Sequence, residues 1–92
     1  MVFTYIIQSE STGRFYVGST DDVDRRLAQH NNPEYKGSLT TKRFKGPWKI
    51  VYLEPFESRS EAISREKQIK AWKSRKAIQE LIQSVEFRHS RN

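Results

Sequence analysis

The segment SRSEAISREKQIKAW, residues 58–72, has the pattern of an amphipathic helix that carries one charged residue on its apolar face. Ser58 and Glu61 form the S-x-x-E pattern of a capping box, in which the serine accepts from the backbone three residues on and the glutamate reaches back to the serine. At about 100° per residue, Glu66 falls in the middle of the apolar face. The apolar positions of that face are Ala62, Ile63 and Ile69.

Glu66 is a candidate site residue because a carboxylate aimed into a small core is costly unless it is paired or binds a metal. The alternative is a structural ion pair between Glu66 and a nearby arginine, since such pairs also place carboxylates inside proteins. Its position on the helix leaves both interpretations open. The other residues that could lie near Glu66 have to distinguish a functional site from a structural ion pair.

The segments around this helix predict an α+β fold with the element order ββαβαα. The predicted elements are strands at residues 3–8, 15–18 and 48–54, and helices at residues 21–30, at residues 58–72 and from Ser74 to about Ile82. The first two strands read as a hairpin, and Asp21 is the expected N-cap of the first helix. We expect a small three-stranded, largely antiparallel sheet flanked by helices. The predicted domain covers residues 1–84, followed by a frayed polar tail at residues 85–92.

The size and composition of the chain limit its class. A chain of 92 residues, with 35% hydrophobic and 30% charged residues, has room for one modest core. It contains no cysteine, which excludes disulfides and thiolate metal sites and fits a reducing cytoplasm. We see no secretory signal and no apolar run of membrane-spanning length. We therefore expect a soluble cytoplasmic protein without a membrane partner.

The positive charge of the chain is unevenly distributed. The net charge is +6, of which residues 1–30 contribute −1 and residues 31–92 contribute +7. A basic excess confined to one part of a small domain favours a polyanionic partner, most often a nucleic acid. The alternative is a solvated surface that binds nothing specific.

A predicted loop places basic and aromatic residues next to each other. In TTKRFKGPWK, residues 40–49, the cations Lys42, Arg43, Lys45 and Lys49 are interleaved with Phe44 and Trp48. Such a mixture suits a nucleic-acid backbone with exposed bases. For Trp48 we favour a place in the core, and for the cations contact with a backbone. The basic track could extend along the helices through Lys67, Lys70, Lys73, Arg75 and Lys76, although exposed lysines on helices are common without function.

The first predicted helix separates two adjacent arginines. Val23 and Leu27 define its buried face, and on the same wheel His30 lies about 20° and Arg26 about 60° from Val23, whereas Arg25 points away. Arg26 and His30 are also i,i+4 neighbours that can act on one ligand. Arg26 and His30 are therefore further candidates for a site.

Two short motifs resemble those of a known family. The pieces Phe3-Thr4-Tyr5 and Tyr16-Val17-Gly18, with their tyrosines eleven residues apart, resemble the paired motifs of the GIY-YIG nuclease superfamily. Residues 16–31 are similar to the family's run from the second motif through its arginine helix. Residues 59–82 resemble the glutamate helix and closing helix of its small standalone members, described as UvrC-like or YhbQ-like (UPF0213-type). The first motif departs from the pattern, because Phe3 and Thr4 stand at its Gly and Ile positions.

The resemblance implies roles for five residues. Glu66 would bind one divalent ion, Mg²⁺ or Mn²⁺, and Arg26 and His30 would contact the phosphate and the reacting oxygens. Tyr5 and Tyr16 would line the site. We assign deprotonation of the attacking water to Tyr5, with a pKa lowered from about 10 by nearby cations, and orientation of the water to Tyr16 and His30.

The resulting hypothesis is a metal-dependent DNA endonuclease that acts in repair or recombination. A catalytic module alone should prefer structured, nicked or single-stranded DNA, or depend on a targeting protein partner, and the sequence does not exclude RNA. The alternatives are a non-catalytic nucleic-acid-binding module of the same fold and a small adaptor protein. The presence of Tyr16, Arg26, His30 and Glu66 together favours the nuclease, because a degenerate binder should have lost some of them.

Overall fold

The computed structural model describes residues 1–35 and 45–90. Within them the elements follow the order ββαβαα, which confirms the predicted order and the α+β class. The elements are β1 (Val2–Ser9), β2 (Phe15–Thr20), α1 (Val23–Asn31), β3 (Trp48–Phe56), α2 (Arg59–Trp72) and α3 (Arg75–Ser90). No helix in this part of the chain is long and apolar enough to cross a membrane.

The three strands form one antiparallel sheet in the order β2-β1-β3, so the first strand lies in the centre. β1 and β3 pair with one irregularity: Tyr52 lies opposite Ile6 and Ile50 lies opposite Ile7, so Val51 is an extra residue in β3. Such a β-bulge increases the local twist of the strand. The bulge lies in β3, which is an edge strand of the sheet.

Helices cover both faces of the sheet. The residues of β1 accordingly alternate between two apolar clusters, one on each face. Ile6 lies at the centre of the larger cluster, together with buried residues of β2, β3, α2 and α3. Tyr5 and Ile7 point to the other face, where they pack with Trp48 and with Leu27 of α1. Consecutive residues of the central strand therefore face different helices.

Two helix boundaries differ from the prediction. Asp22, and not Asp21, is the N-cap of α1, since its Oδ1 atom accepts from the backbone N–H of Arg25 at 3.0 Å. Asp21 instead forms an exposed ion pair with the Arg25 side chain. The last helix continues to Ser90, so the end predicted near Ile82 is wrong, whereas the domain boundary at residue 84 stays a prediction.

The serine half of the predicted capping box is present at the start of α2. Ser58 is the N-cap, and its Oγ atom accepts from the backbone N–H of Glu61 at 3.3 Å. The Glu61 side chain turns back to the same serine, where its Oε1 atom accepts from the Ser58 hydroxyl at 3.0 Å. This start fixes the rotation of the helix, which places Ala62 and Ile69 in the core with Glu66 between them.

Candidate active site

The pairing of β1 and β2 brings the two motif tyrosines to one face of the sheet. Tyr5 lies opposite Gly18, and Ile7 lies opposite Tyr16, so the tyrosines are diagonal neighbours. Their ring centroids are 6.5 Å apart. The strand register therefore places both tyrosines on one face of the sheet.

Gly18 leaves room for the ring of Tyr5. A Cβ atom at position 18 would lie 2.5 Å from the Tyr5 hydroxyl and 2.7 Å from its Cζ atom. These separations are far below a van der Waals contact. The absence of a side chain at Gly18, in the second motif, thus makes space for the Tyr5 ring of the first motif on the neighbouring strand.

Helix α1 delivers His30 to the same place. The Nε2 atom of His30 is hydrogen-bonded to the Tyr5 hydroxyl at 2.9 Å, and its ring lies 4.8 Å from that of Tyr16. His30 is only 4% exposed. The structure therefore places the imidazole in a buried position next to both tyrosine rings, with a hydrogen bond to the hydroxyl of Tyr5.

Burial shifts the pKa of both Tyr5 and His30. It raises the pKa of Tyr5 to about 12, an effect that Arg26 only partly offsets. Burial, aided by the positive charge of Arg26, lowers the pKa of His30 to about 4. The expected lowering of the Tyr5 pKa is wrong, because desolvation outweighs the nearby cation. Both groups are neutral at pH 7.

Arg26 lies at the rim of this cluster, half-buried as the helical wheel predicts, whereas Arg25 is exposed. Its Nη1 atom donates to Gln29 at 2.9 Å, and its guanidinium lies 5.9 Å from the ring centroid of Tyr35. Burial works to lower the pKa of Arg26, but its hydrogen bond with Tyr5 contributes to a net increase. The planar cation is thus held next to the tyrosines.

Glu66 approaches the site from α2, on the other face of the sheet. Its Oε1 atom accepts from the Ser19 hydroxyl at 2.8 Å, and its Oε2 atom accepts from Lys70 Nζ at 2.6 Å. The Glu66 side chain is 19% exposed. Glu66 therefore forms an ion pair, as the alternative interpretation held. The predicted arginine partner is wrong, because the cation is a lysine one turn further along the same helix.

Two observations connect Glu66 with the tyrosines. Its negative charge is close enough to contribute, after burial, to the raised pKa of Tyr5. Lys70, which pairs with Glu66, lies with its Nζ atom 5.8 Å from the ring centroid of Tyr16. The candidate residues therefore meet around β2, an outer strand of the sheet, with the α1 residues on one side and the α2 residues on the other.

Sequence reasoning missed Ser19, although the strand pattern contains a signal for it. Ser19 lies one residue after Gly18 and therefore points to the opposite face, towards α2. Its pairing partner Thr4 behaves in the same way: Thr4 is fully buried and donates to the carbonyl of Ala62 at 2.7 Å. Thr4, a departure from the first motif, thus attaches the central strand to α2 one turn before Glu66.

The predicted nucleic-acid-binding residues have mixed outcomes. Lys42 and Arg43 lie outside the described residues. Lys45 is exposed, and its carbonyl accepts hydrogen bonds from Ser9 and Ser11 at the turn between β1 and β2. Lys70 and Lys73 are exposed at the end of α2, near Tyr16. The companion Trp48 is 4% exposed and belongs to the core, as expected.

The comparisons with known proteins identify the family. The family model of the GIY-YIG catalytic domain matches residues 1–79. A UPF0213 protein of Staphylococcus saprophyticus is 34% identical over 76 residues, which cover 83% of this chain and 88% of that protein. A UPF0213 protein of Haloquadratum walsbyi is 39% identical over 77 residues, 84% of this chain and 82% of that one.

Two further relatives add a structure and a named activity. The solution NMR structure of a UPF0213 protein from Bacillus halodurans matches 90% of this chain and 84% of its own, with a TM-score of 0.54 and 32% identity. The structure-specific endonuclease subunit SLX1 of Meyerozyma guilliermondii is 45% identical over 65 residues, 67% of this chain but only 22% of that protein. With the family model, these matches show that the chain belongs to the GIY-YIG family and is a nuclease-type domain similar to the UPF0213 proteins.

Proposed function

We propose that this protein is a metal-dependent endonuclease that hydrolyses DNA phosphodiester bonds, with structured, nicked or single-stranded DNA as substrate. The observation that carries the proposal is the grouping of four residues in one cluster: Tyr5, Tyr16, Arg26 and His30. The negative charge of Glu66 is close enough to this cluster to contribute to the raised pKa of Tyr5. The likeness to a structure-specific endonuclease subunit supports the choice of substrate. A role in DNA repair or recombination in the cytoplasm is part of the same proposal.

The donor set around Glu66 fits a weakly held divalent ion. No group of three or more metal-binding side chains occurs within the residues that the structure describes. Mg²⁺ often binds through one or two carboxylates and keeps several waters, with substrate phosphates completing its shell. Glu66 would be the protein ligand, and a bound ion would supply Lewis-acid stabilisation of charge on the phosphate.

The different burial of the tyrosines changes the assignment of the general base. Tyr5 is 2% exposed and hydrogen-bonded to His30, so it has little access to a water molecule at the substrate. Tyr16 is half-buried and borders on solvent. We therefore assign the proton of the attacking water to Tyr16, which would accept it as a phenolate stabilised by Arg26 and Lys70 and would become neutral in the step.

The other residues of the cluster support this step. Arg26 would bind a non-bridging phosphate oxygen through its planar guanidinium. The neutral pair of Tyr5 and His30 would pack against the ring of Tyr16. The same pair would belong to the path by which the proton leaves Tyr16. In the overall reaction the water oxygen bonds to phosphorus, the bond from phosphorus to the leaving oxygen breaks, and that oxygen takes a proton from solvent.

Glu66→Gln tests the function directly. We expect the wild type to cut one or more members of a panel of branched, nicked, single-stranded and duplex DNAs with Mg²⁺ or Mn²⁺. The variant should lose at least about 100-fold in rate and keep its DNA affinity, because the metal contact is removed while the side-chain shape is preserved. The rate is measured by gel electrophoresis of end-labelled DNA.

Glu61→Gln is the matched control, since it removes the same charge from the same helix, and glutamine also fits the capping box. It should cut like the wild type. Metal-independent cleavage, or equal loss in both variants, would contradict the role of Glu66. Binding without cutting by the wild type on every substrate would favour the non-catalytic alternative.

A further inference from the structure

A positively charged groove opens beside Tyr16, on the outer side of β2. It has a volume of about 460 Å³ and runs along β2 to the junction between α2 and α3. Four cations line it, Arg14, Lys70, Lys73 and Arg75, together with the rings of Phe15 and Tyr16. Among the described residues of its lining none is acidic. Tyr16 and Lys70 belong to both the groove and the candidate active site.

A second groove, of about 730 Å³, lies beside α2 and β3 and is lined by Glu54 and Glu61 as well as Arg65. There Arg65 forms an ion pair with Glu54 at 3.0 Å. The lining of the groove next to Tyr16 therefore carries an excess of cations that the lining of the second groove does not have.

Arg75 is held in place within the groove. Its Nη1 atom donates to the carbonyl of Gly13 at 2.8 Å, and its guanidinium lies 4.8 Å from the ring centroid of Phe15. A guanidinium fixed by a carbonyl and an aromatic ring loses less conformational entropy when it binds a phosphate. Guanidinium planes and aromatic rings are also the surfaces on which unpaired bases stack.

Local stability does not account for the cations at the junction of the helices. Lys73 has a φ of 49°, a left-handed conformation for which glycine is the preferred residue at the end of a helix. Arg75 begins α3, whose first turn contains no acidic residue. A cation at a helix N-terminus opposes the helix dipole, so an anion bound at Arg75 would offset this unfavourable charge.

We infer that this groove binds the backbone of an unpaired polynucleotide strand that continues from the phosphate held at Tyr16. This inference rests on the proposed function and extends it, because it assigns Arg14 and Arg75 to the substrate and names the path of the strand. The phosphates contact the four cations, and a base stacks at the pair of Arg75 and Phe15. The groove thereby selects substrates that are single-stranded on one side of the cut.

The double variant Arg14→Gln/Arg75→Gln tests the groove by binding alone. Affinity for labelled single strands of about 12 nucleotides is measured by fluorescence anisotropy in EDTA over a range of salt. Each phosphate contact contributes about −0.7 to the slope of log K against log salt for single strands, so the slope should flatten by about 1.4. At 0.1 M salt this corresponds to a loss of roughly 25-fold.

Arg25→Gln/Arg59→Gln is the matched control, since both arginines are exposed and the charge change is the same. Thermal melts verify that both double variants fold; if the groove variant does not, Arg14→Lys and Arg75→Lys replace it, and the combined lysine variant should keep the salt slope. DNA and RNA strands of one sequence, together with a blunt duplex, complete the panel, and duplex binding should change less than that of either strand.

The outcomes separate the groove from the nuclease. An unchanged slope in the groove variant, an equal change in the control or no binding of single strands by the wild type would overturn the groove. None of these results depends on cleavage. If the wild type binds single strands through the groove but cuts nothing, the groove stands and the nuclease proposal fails.

Discussion

At the scale of single residues, burial separates two tyrosines that the motifs treat alike. Tyr5 is enclosed between Gly18 and His30, which raises its pKa and removes it from solvent. Tyr16, two residues along the neighbouring strand, remains half-exposed beside Lys70. Residue type and spacing identified both, but their roles follow from environment, which short motifs do not encode.

Lys70 is the counter-ion of Glu66, and this leads to a prediction. A divalent ion at Glu66 must displace the ammonium group 2.6 Å from its Oε2 atom, because two cations cannot share that position. Lys70→Met should therefore tighten Mn²⁺ binding by about 5-fold, the equivalent of about 1 kcal/mol for a half-exposed ion pair. The measurement is titration calorimetry with Mn²⁺ in the absence of DNA.

Lys67→Met provides the comparison, since Lys67 is an exposed lysine on the same helix and its loss changes the net charge equally. It should alter Mn²⁺ affinity by less than 2-fold or so, as expected for a screened surface charge. If both variants tighten binding equally, the effect is one of general charge and Lys70 does not compete for the site. Glu66→Gln should abolish the binding that Lys70→Met enhances.

At the scale of elements, an asparagine connects α1 to β3. The Oδ1 atom of Asn31 accepts from the backbone N–H of Trp48 at 2.7 Å, and its Nδ2 atom donates to the Trp48 carbonyl at 3.0 Å. The side chain thus continues the hydrogen bonding of an outer strand at its first residue. His30 immediately precedes Asn31, so the same contact fixes the end of α1 that carries the imidazole.

Asn31→Ala should lower the free energy of unfolding by about 2 kcal/mol, because it leaves two backbone groups beside a buried tryptophan without partners. Urea denaturation followed by circular dichroism measures this loss. Asn32→Ala, one residue on, should cost less, since the backbone N–H of Glu34 that donates to the Asn32 Oδ1 atom is exposed. Equal losses in both variants would mean that the contact with Trp48 contributes nothing specific.

The elements also show what the sequence could predict. The helical period separated Arg26 from Arg25 and placed Glu66 on the inner face, because both depend on geometry within one helix. The partner of Glu66 depends on how β2 packs against α2, a non-local relation, and Ser19 was missed for that reason. The N-cap was misplaced by one residue, since two consecutive aspartates, Asp21 and Asp22, have the same capping propensity.

At the scale of the whole molecule, the sheet separates two groups that meet only at its margin. α1 supplies Arg26 and His30 from one face, and α2 supplies Glu66 from the other, so the cluster forms only when both faces are packed. The family pattern is spread over most of the chain for this reason. The folding of the molecule and the assembly of its site are one event, which couples the protonation of His30 to global stability.

This coupling predicts a loss of stability on mild acidification. The pKa of His30 is about 4 in the folded protein, where burial is the main cause, and about 6.5 in the unfolded chain. The unfolded state therefore binds the proton first, and stability falls as the pH drops from 6.5 towards 4. Between pH 7 and pH 5 the free energy of unfolding should fall by about 2 kcal/mol through His30 alone.

His30→Gln isolates this contribution, because glutamine has no titratable group and His89, the other histidine of the chain, remains in both proteins. The variant will be less stable at pH 7, but its loss between pH 7 and pH 5 should be smaller than that of the wild type by the same 2 kcal/mol or so. Urea denaturation at both pH values measures the difference. An identical pH dependence would show that the imidazole is not held neutral between the tyrosines and Arg26, and it would remove His30 from the proton path that serves Tyr16.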